Sequence, residues 1–321
     1  MSELPTLSEL ESATTLVRQW VPPTPQFTWP LLNARAGAEV WVKHENHTPV
    51  GSFKARGALV YFDQLLRARP NLAGVVAATR GNFGQAVTFA ARRSGLRAII
   101  VVPQGNSVEK NAAMRALGAE LIEFGGDFQA AFEHAQQLAV ARELHFVPSF
   151  DLRLAAGAGT YALEFLRGAP PLDAVYIPVG LGSGICGMIA ARDALGLPVK
   201  IIGAVSAQAP AYALSFAARR VVSHPVNTRI ADGVAIRQPD SLAVEIIARH
   251  VERFVTVTDD EIEAAMRALF TDTHNAAEGA GAVALAALLQ ESTRWAGRRV
   301  GVVLTGGNVD RHVLARVLSA P

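Results

Sequence analysis

Cysteine occurs once, at Cys186, in a chain of 321 residues, which excludes a disulfide framework and a cysteine zinc cluster. Charge is scarce as well. Only 18% of the residues are charged, and 30 Lys and Arg against 28 Asp and Glu leave +2. That is no electrostatic footprint for nucleic acid or for an anionic membrane. Long apolar runs are missing: the longest are strand-sized, well short of a membrane span. There is no fixed-length repeat and no low-complexity tract. The N-terminal MSELPTLSELESATT is acidic and polar, unlike a signal peptide. Half of the residues are apolar, which excludes a disordered chain. The expectation is a soluble cytoplasmic protein, large enough for one big domain or two lobes, with a symmetric dimer as the commonest assembly.

What is present is an alternation of two periods. Short β-branched runs recur at Val75–Ala78, Ala98–Val102, Glu120–Phe124, Ala174–Val179, Lys200–Val205, Phe254–Val257 and Val300–Leu304. Amphipathic stretches at Ala86–Arg93, Ala112–Leu117, Phe128–Glu143 and Glu261–Asp272 read as helices. Strand followed by helix, repeated, is the pattern of an α/β protein with parallel sheets flanked by helices. Gly95 and Gly118 each fall where a helix ends and a strand begins, the place of a helix C-cap. Pro148-Ser149-Phe150-Asp151 marks a change of lobe, and Pro22-Pro23-Thr24-Pro25 an early extended segment.

The chemistry is expected where strands end. Val75–Ala78 runs into Thr79-Arg80-Gly81-Asn82-Phe83-Gly84-Gln85, Ala174–Val179 into Gly180-Leu181-Gly182-Ser183-Gly184, and Val300–Leu304 into Thr305-Gly306-Gly307-Asn308. Open α/β sheets bind ligands at the carboxyl ends of their strands. Any one of these loops is equally a tight βα turn. Three in the same register point to backbone amides closing on one anionic ligand. Gly182 to Gly187 also matches G-x-G-x-x-G, a weak signal alone. A dinucleotide fold needs an acid at the end of the next strand, and here that strand ends Ala204-Val205-Ser206-Ala207. A compact phosphate, held by loop amides and the Ser183 hydroxyl, fits better than NAD.

Lys54 is placed oddly. Gly51-Ser52 reads as a turn and N-cap before a helix through Leu59–Leu66,. Lys54 then falls in the first turn, where a cation is disfavoured and its pKa is pushed down. A neutral lysine amine can form a Schiff base and act as a base. A solvated surface lysine is the plain alternative, a role that fits Arg56 and Arg67 better.

Together these segments resemble the fold-type II pyridoxal-phosphate enzymes, in particular the threonine/serine dehydratase and serine racemase group. Gly51-Ser52-Phe53-Lys54-Ala55-Arg56-Gly57-Ala58 is similar to the G-S-F-K-x-R-G-A lysine motif, and Thr79–Gln85 to S-S-G-N-H-x-Q. Ile177–Gly187 resembles the phosphate loop, Ile230–Ala235 the I-A-D-G-x-A segment, Glu278–Ala282 E-P-A-G-A, and Thr305–Asp310 S-G-G-N-V-D. The matches run in order from about Lys43 to Asp310, most of the chain.

The resemblance implies a two-lobed, tryptophan-synthase-β-like fold. Residues 1–42 and 149–321 would form a large cofactor-binding domain. Residues 43–148 would form a small mobile domain carrying the asparagine loop, with hinges near 40–50 and 148–152. It implies pyridoxal 5′-phosphate on Lys54, with Phe53 against the ring, Asn82 on the ring O3′, and Gly180, Gly182, Ser183 and Gly184 around the phosphate. Gly233 and Glu278 would lie beside the cofactor, and Thr305 would face the pyridine nitrogen. A hydroxyl there leaves that nitrogen largely unprotonated, which favours elimination over transamination. Thr79, Arg80, Gly81, Asn82 and Phe83 would bind the substrate carboxylate. The implied activity is an ammonia-lyase (dehydratase) that eliminates water from a β-hydroxy amino acid such as L-threonine or L-serine, giving a 2-oxo acid and ammonia. Lys54 would take the Cα proton. A β-replacement synthase is the alternative within the cofactor class. A non-catalytic cofactor-binding protein is the alternative outside it, and intact Lys54, Asn82 and Thr305 argue against that.

Several positions depart from the family pattern. Arg80 stands where racemases carry a serine, and an arginine is a poor proton shuttle, so little racemisation is expected. Arg80 reads two ways: it pairs with a substrate carboxylate, favouring an acidic substrate such as 3-hydroxyaspartate, or it bonds nearby backbone. Leu181 and Ser183 interrupt the glycine run, and Phe83 replaces a commoner His. Gly203-Ala204-Val205-Ser206 lacks the family's metal-binding glutamate, so no metal is expected. Glu278 reads equally as a carboxylate at a helix N-terminus. The chain ends soon after Thr305, leaving no room for a regulatory domain. His44-Glu45-Asn46-His47 looks metal-like but lacks further ligands, and reads as a strand end near the site. Cys186 reads as a small buried residue, and Ala276–Leu289 as a core helix.

Overall fold

Runs of Val, Ile and Ala without polar interruption become strands covered on both faces, as parallel sheets require. The computed structural model describes residues 4–320. Its strands are β1 (Gln26–Thr28), β2 (Glu39–His44), β3 (Gly74–Ala78), β4 (Arg97–Val102), β5 (Glu120–Glu123), β6 (His145–Phe146), β7 (Ala174–Pro178), β8 (Lys200–Ser206), β9 (Arg253–Val257) and β10 (Arg299–Leu304). Its helices are α1 (Leu7–Val17), α2 (Pro30–Ala36), α3 (Lys54–Ala68), α4 (Asn82–Arg93), α5 (Val108–Ala116), α6 (Phe128–Ala141), α7 (Leu152–Gly168), α8 (Ser183–Ala194), α9 (Ala211–Ala218), α10 (Ser241–His250), α11 (Asp259–Thr273), α12 (Gly279–Gln290) and α13 (Arg311–Ser319).

The strands form two sheets, ordered β1-β2-β10-β7-β8-β9 and β5-β4-β3-β6. All pairings are parallel except β1 with β2. The chain leaves the six-stranded sheet at His44, builds the four-stranded sheet, and returns at Ala174. Every residue of β3 and β7 is buried. The alanine-rich α12 is buried from Gly279 to Leu288 and belongs to the core of the larger sheet, as its lack of a polar face demands.

Helix starts follow their side chains. Thr6 and Glu9 make a reciprocal capping box on α1, and Thr258 and Glu261 another on α11,. The start of α3 departs from the sequence expectation. Ser52 does not cap it; Phe53 occupies the N-cap position without a side-chain bond. Ser52 is instead held extended, bridged to Gly306 and with its N–H donating to Thr48 Oγ1 at 2.9 Å. The glycine expectations hold: Gly95 and Gly118 have φ of 68° and 102°, the left-handed region that ends helices.

Candidate active site

The three glycine loops lie at the carboxyl ends of β3, β7 and β10, and the segment leading into α3 meets them. The Thr305 loop is the junction. Thr305 O accepts from Phe53 N at 3.1 Å, and Gly51 O accepts from Gly307 N at 3.0 Å. Asn308 Nδ2 donates to Val50 O at 2.8 Å and to Asn82 Oδ1 at 2.9 Å. Lys54, Asn82 and Thr305, distant in sequence, are thereby drawn into one site.

Lys54 opens α3. Its Nζ lies 4.9 Å from the Phe53 ring centroid and 6.0 Å from that of Phe83. Among the described residues it makes no side-chain hydrogen bond or ion pair. Burial pushes its pKa down to about 8, against the opposing pull of the Glu278 carboxylate,. Phe53, Lys54, Gly57, Phe83, Ser149, Leu154 and Ser183 line a small cavity beside the amine.

Arg56, read from sequence as a surface residue, is fully buried. Its guanidinium donates to Glu45 at 2.8 and 3.0 Å and to Glu164 at 3.0 and 2.9 Å. Lys43 completes the group, bonding Glu164 and Thr24 O at 2.9 Å each. Two cations and two carboxylates cancel, which is how such charges survive burial. The group ties the first turn of α3 to β2 and α7. Arg67 is exposed, as expected, and pairs with Asp63.

In the asparagine loop, Thr79 Oγ1 accepts from Gly81 N at 2.9 Å and Gly84 N at 3.2 Å. The N–H groups of Asn82 and Phe83 fall in the first turn of α4, where the helix itself supplies no acceptor. Asn82 Nδ2 donates to Glu278, and Lys110 Nζ donates to the other oxygen of Glu278 at 3.0 Å. Glu278 is buried at the N-cap position of α12 but makes no side-chain cap bond. Lys110 is a site residue that sequence reasoning missed, since nothing local distinguishes it from any lysine in a first helical turn. Asn308 lay in a recognised segment but carried no assigned role. Arg80 pairs with Asp232 at 3.4 Å, both side chains close to half exposed.

The Gly180–Gly184 loop leads into α8. Gly182 has φ of 112°, and a Cβ there would lie 2.7 Å from the Ala243 Cβ. A Cβ on Gly180 would collide with the carbonyl of Gly233, which places Gly233 against this loop. Ser183 is buried as the first residue of α8, whose first-turn amides have no acceptor within the helix.

This donor set suits a group with a phosphate and a carbonyl carbon. The Lys54 amine lacks a partner. Ser52 Oγ and Gln85 Nε2 are buried without one, and such atoms in a native structure call for an explanation. A glycine-hemmed helix N-terminus stands ready for an anion. The family model described as pyridoxal-phosphate dependent enzyme matches residues 17–306. The chain belongs to this family.

Its cofactor is pyridoxal phosphate, and its relatives include lyases and racemases by name. L-threonine ammonia-lyase of Thermotoga maritima is 33% identical over 318 residues, covering 98% of this chain and 78% of that protein. Among solved structures, threonine deaminase isoform 2 of Solanum lycopersicum has a TM-score of 0.89 at 29% identity, covering 100% of this chain and 96% of that one. A pyridoxal 5′-phosphate-dependent aspartate racemase has a TM-score of 0.91 at 31% identity, covering 98% and 99%.

The remaining candidates are structural. His44 Nε2 accepts from Trp29 Nε1 at 3.3 Å, and its pKa is pushed down to about 4, chiefly by burial. His47 bonds Asn275 at 2.7 Å. Among the described residues, no three His, Cys, Asp or Glu side chains converge as metal ligands. Val205, in the stretch that lacks the glutamate, is in the apolar core. Cys186 is fully buried, and burial pushes its thiol pKa up. A larger, open groove of about 550 Å³ involves α1, α7 and β2 and holds none of the glycine loops. Its buried Lys43 and Glu164 already bond each other, so size alone misplaces the site. Among the described residues no helix is long and apolar enough to cross a membrane.

Proposed function

We propose that this enzyme is an ammonia-lyase that removes water from L-threonine or L-serine, giving a 2-oxo acid and ammonia. The observation that carries the reading is the Lys54 amine, half-buried, without a hydrogen-bond or ion-pair partner among the described residues, and with its pKa pushed down to about 8. It sits where the asparagine, phosphate and threonine loops converge. A lysine in this state is part neutral at pH 7 to 8, as a nucleophile and a base must be.

When bound, pyridoxal phosphate supplies an electron-withdrawing ring that stabilises negative charge at the substrate Cα. The chain's residues do the rest. Lys54 Nζ would hold the cofactor and would receive the substrate Cα proton. The amides of the first turn of α8, with Gly180, Gly182, Ser183 and Gly184 leaving the space, hold the phosphate. Asn82 has its Oδ1 and one N–H engaged, leaving the second N–H for the ring oxygen. Phe53 would pack against the ring, and Gly233 and Glu278 would border it. The Thr305 hydroxyl makes no side-chain bond among the described residues and would be free to meet the ring nitrogen. The Thr79–Phe83 amides take the substrate carboxylate. Asp232 offsets the Arg80 charge, which favours a neutral substrate side chain over an acidic one such as that of 3-hydroxyaspartate. Arg80 also leaves no serine to shuttle a proton on that face, so L-serine is not racemised. We also read the enzyme as a cytoplasmic homodimer; a monomer mass by light scattering would refute the dimer.

The test is a 2-oxo acid and ammonia assay on purified enzyme with pyridoxal phosphate, using L-threonine, L-serine, D-serine, 3-hydroxyaspartate and phenylserine. Activity on L-threonine or L-serine that disappears in Lys54→Ala is the expected result. A bound cofactor without elimination from any of these would leave β-replacement as the reaction and sink the lyase reading.

A further inference from the structure

We infer that two buried tyrosines, Tyr161 and Tyr212, are positioning residues that set the phosphate loop in its binding conformation. This rests on the reading of the Gly180–Gly184 loop as the phosphate site. Tyr212, from α9, is 1% exposed and donates its hydroxyl proton to Leu181 O at 2.8 Å. The Tyr212 hydroxyl oxygen in turn accepts from Asp240 N at 3.2 Å. Tyr161, from α7, is 0% exposed and donates to Gly184 O at 3.2 Å. Its ring meets that of Phe53 edge to face, with centroids 5.9 Å apart. Burial raises the pKa of both phenols, so both remain proton donors at any working pH.

The reason is the geometry of the peptide unit. In a trans peptide the C=O and the following N–H point in opposite directions. Tyr212 therefore fixes the Gly182 N–H by holding the Leu181 carbonyl, and Tyr161 fixes the Ile185 N–H through the Gly184 carbonyl. Each N–H is aimed away from its tyrosine. The Leu181–Gly182 peptide needs such a hold because Gly182, at φ of 112°, can rotate at little cost. Both hydroxyls sit close against the loop: a Cβ at Gly182 would lie 3.5 Å from the Tyr212 hydroxyl, and one at Gly184 3.4 Å from that of Tyr161. The two hydroxyls close on the loop from outside the cofactor cavity, neither tyrosine being among the residues that line it. Tyr161 also couples the loop to Phe53, and through it to the start of α3.

The test compares cofactor affinity with and without the phosphate. Enzyme stripped of cofactor is titrated with pyridoxal phosphate and with pyridoxal, following cofactor absorbance, for wild type, Tyr212→Phe, Tyr161→Phe and Ser183→Ala. Loss of one buried hydrogen bond to a loop carbonyl predicts about tenfold weaker pyridoxal phosphate binding in Tyr212→Phe. Tyr161→Phe should lose about threefold, because α8 gives Gly184 O a second donor. Pyridoxal should bind all the tyrosine variants within about twofold of wild type. Equal weakening of both ligands would mark the tyrosines as general packing and overturn the inference, as would unchanged affinity for both. Ser183→Ala separates the two readings. If it weakens pyridoxal phosphate selectively while the tyrosine variants do not, the clamp alone fails. If no variant affects the phosphate-dependent part, the loop is not the phosphate site.

Discussion

Replacing Lys54 by methionine should stabilise the cofactor-free protein at neutral pH. The amine is pushed from 10.5 to about 8, so folding at pH 7 buries an ammonium that water would hold more comfortably. A difference of about 2.5 pKa units corresponds to about 3 kcal/mol. The sign follows from proton counts. Between pH 8 and 10.5 the unfolded chain keeps the lysine proton and the folded chain has released it, so wild-type stability rises with pH across that window. Below pH 8 both states are protonated and the full penalty is present. Lys54→Met has no such slope. In denaturant unfolding of the stripped proteins, the advantage of the variant should be about 3 kcal/mol at pH 7 and about 1 kcal/mol at pH 9.5. Packing of the methionine adds a constant, so the narrowing of the gap is the decisive quantity. A gap that does not change with pH would mean that the amine is solvated, and the account of Lys54 as a poised base would fail with it.

Glu45→Gln should cost about 3 kcal/mol in the same unfolding experiment, because it leaves the buried Arg56 fork and Lys43 facing a single carboxylate. A loss below about 1 kcal/mol would show that water reaches the group. Arg80→Ala should change kcat/KM for L-threonine by no more than about threefold, since a half-exposed ion pair contributes little and the proposed carboxylate site is made of loop amides. A tenfold rise in KM would instead give Arg80 the carboxylate.

Much of this enzyme was legible along the chain because its strands and loops are local in origin. Buried parallel strands such as Val75–Ala78 and Val300–Leu304 must be apolar throughout, and a loop that approaches a phosphate must be glycine-rich. Both constraints act on neighbouring residues, so Lys54, Asn82, Ser183 and Thr305 stood out in their motifs. What escaped depended on partners far away in sequence. Arg56 is a surface residue by type, and only the meeting of β2, α3 and α7 supplies Glu45 and Glu164 to bury it. Lys110 becomes a site residue because α5 brings it to Glu278, 168 positions on. Tyr161 and Tyr212 look like ordinary core aromatics until packing points their hydroxyls at loop carbonyls. Ser52, a plausible cap by type, is drawn into a bridge with Gly306. The sequence alone determined the class of fold and the loops that meet a ligand, because backbone sterics and strand burial are written in adjacent residues, and the motifs' resemblance to a family supplied the cofactor. The tertiary structure decided which charges are buried, which carbonyls are held and which amine is left without a partner, because desolvation and hydrogen bonding depend on neighbours that only folding brings together.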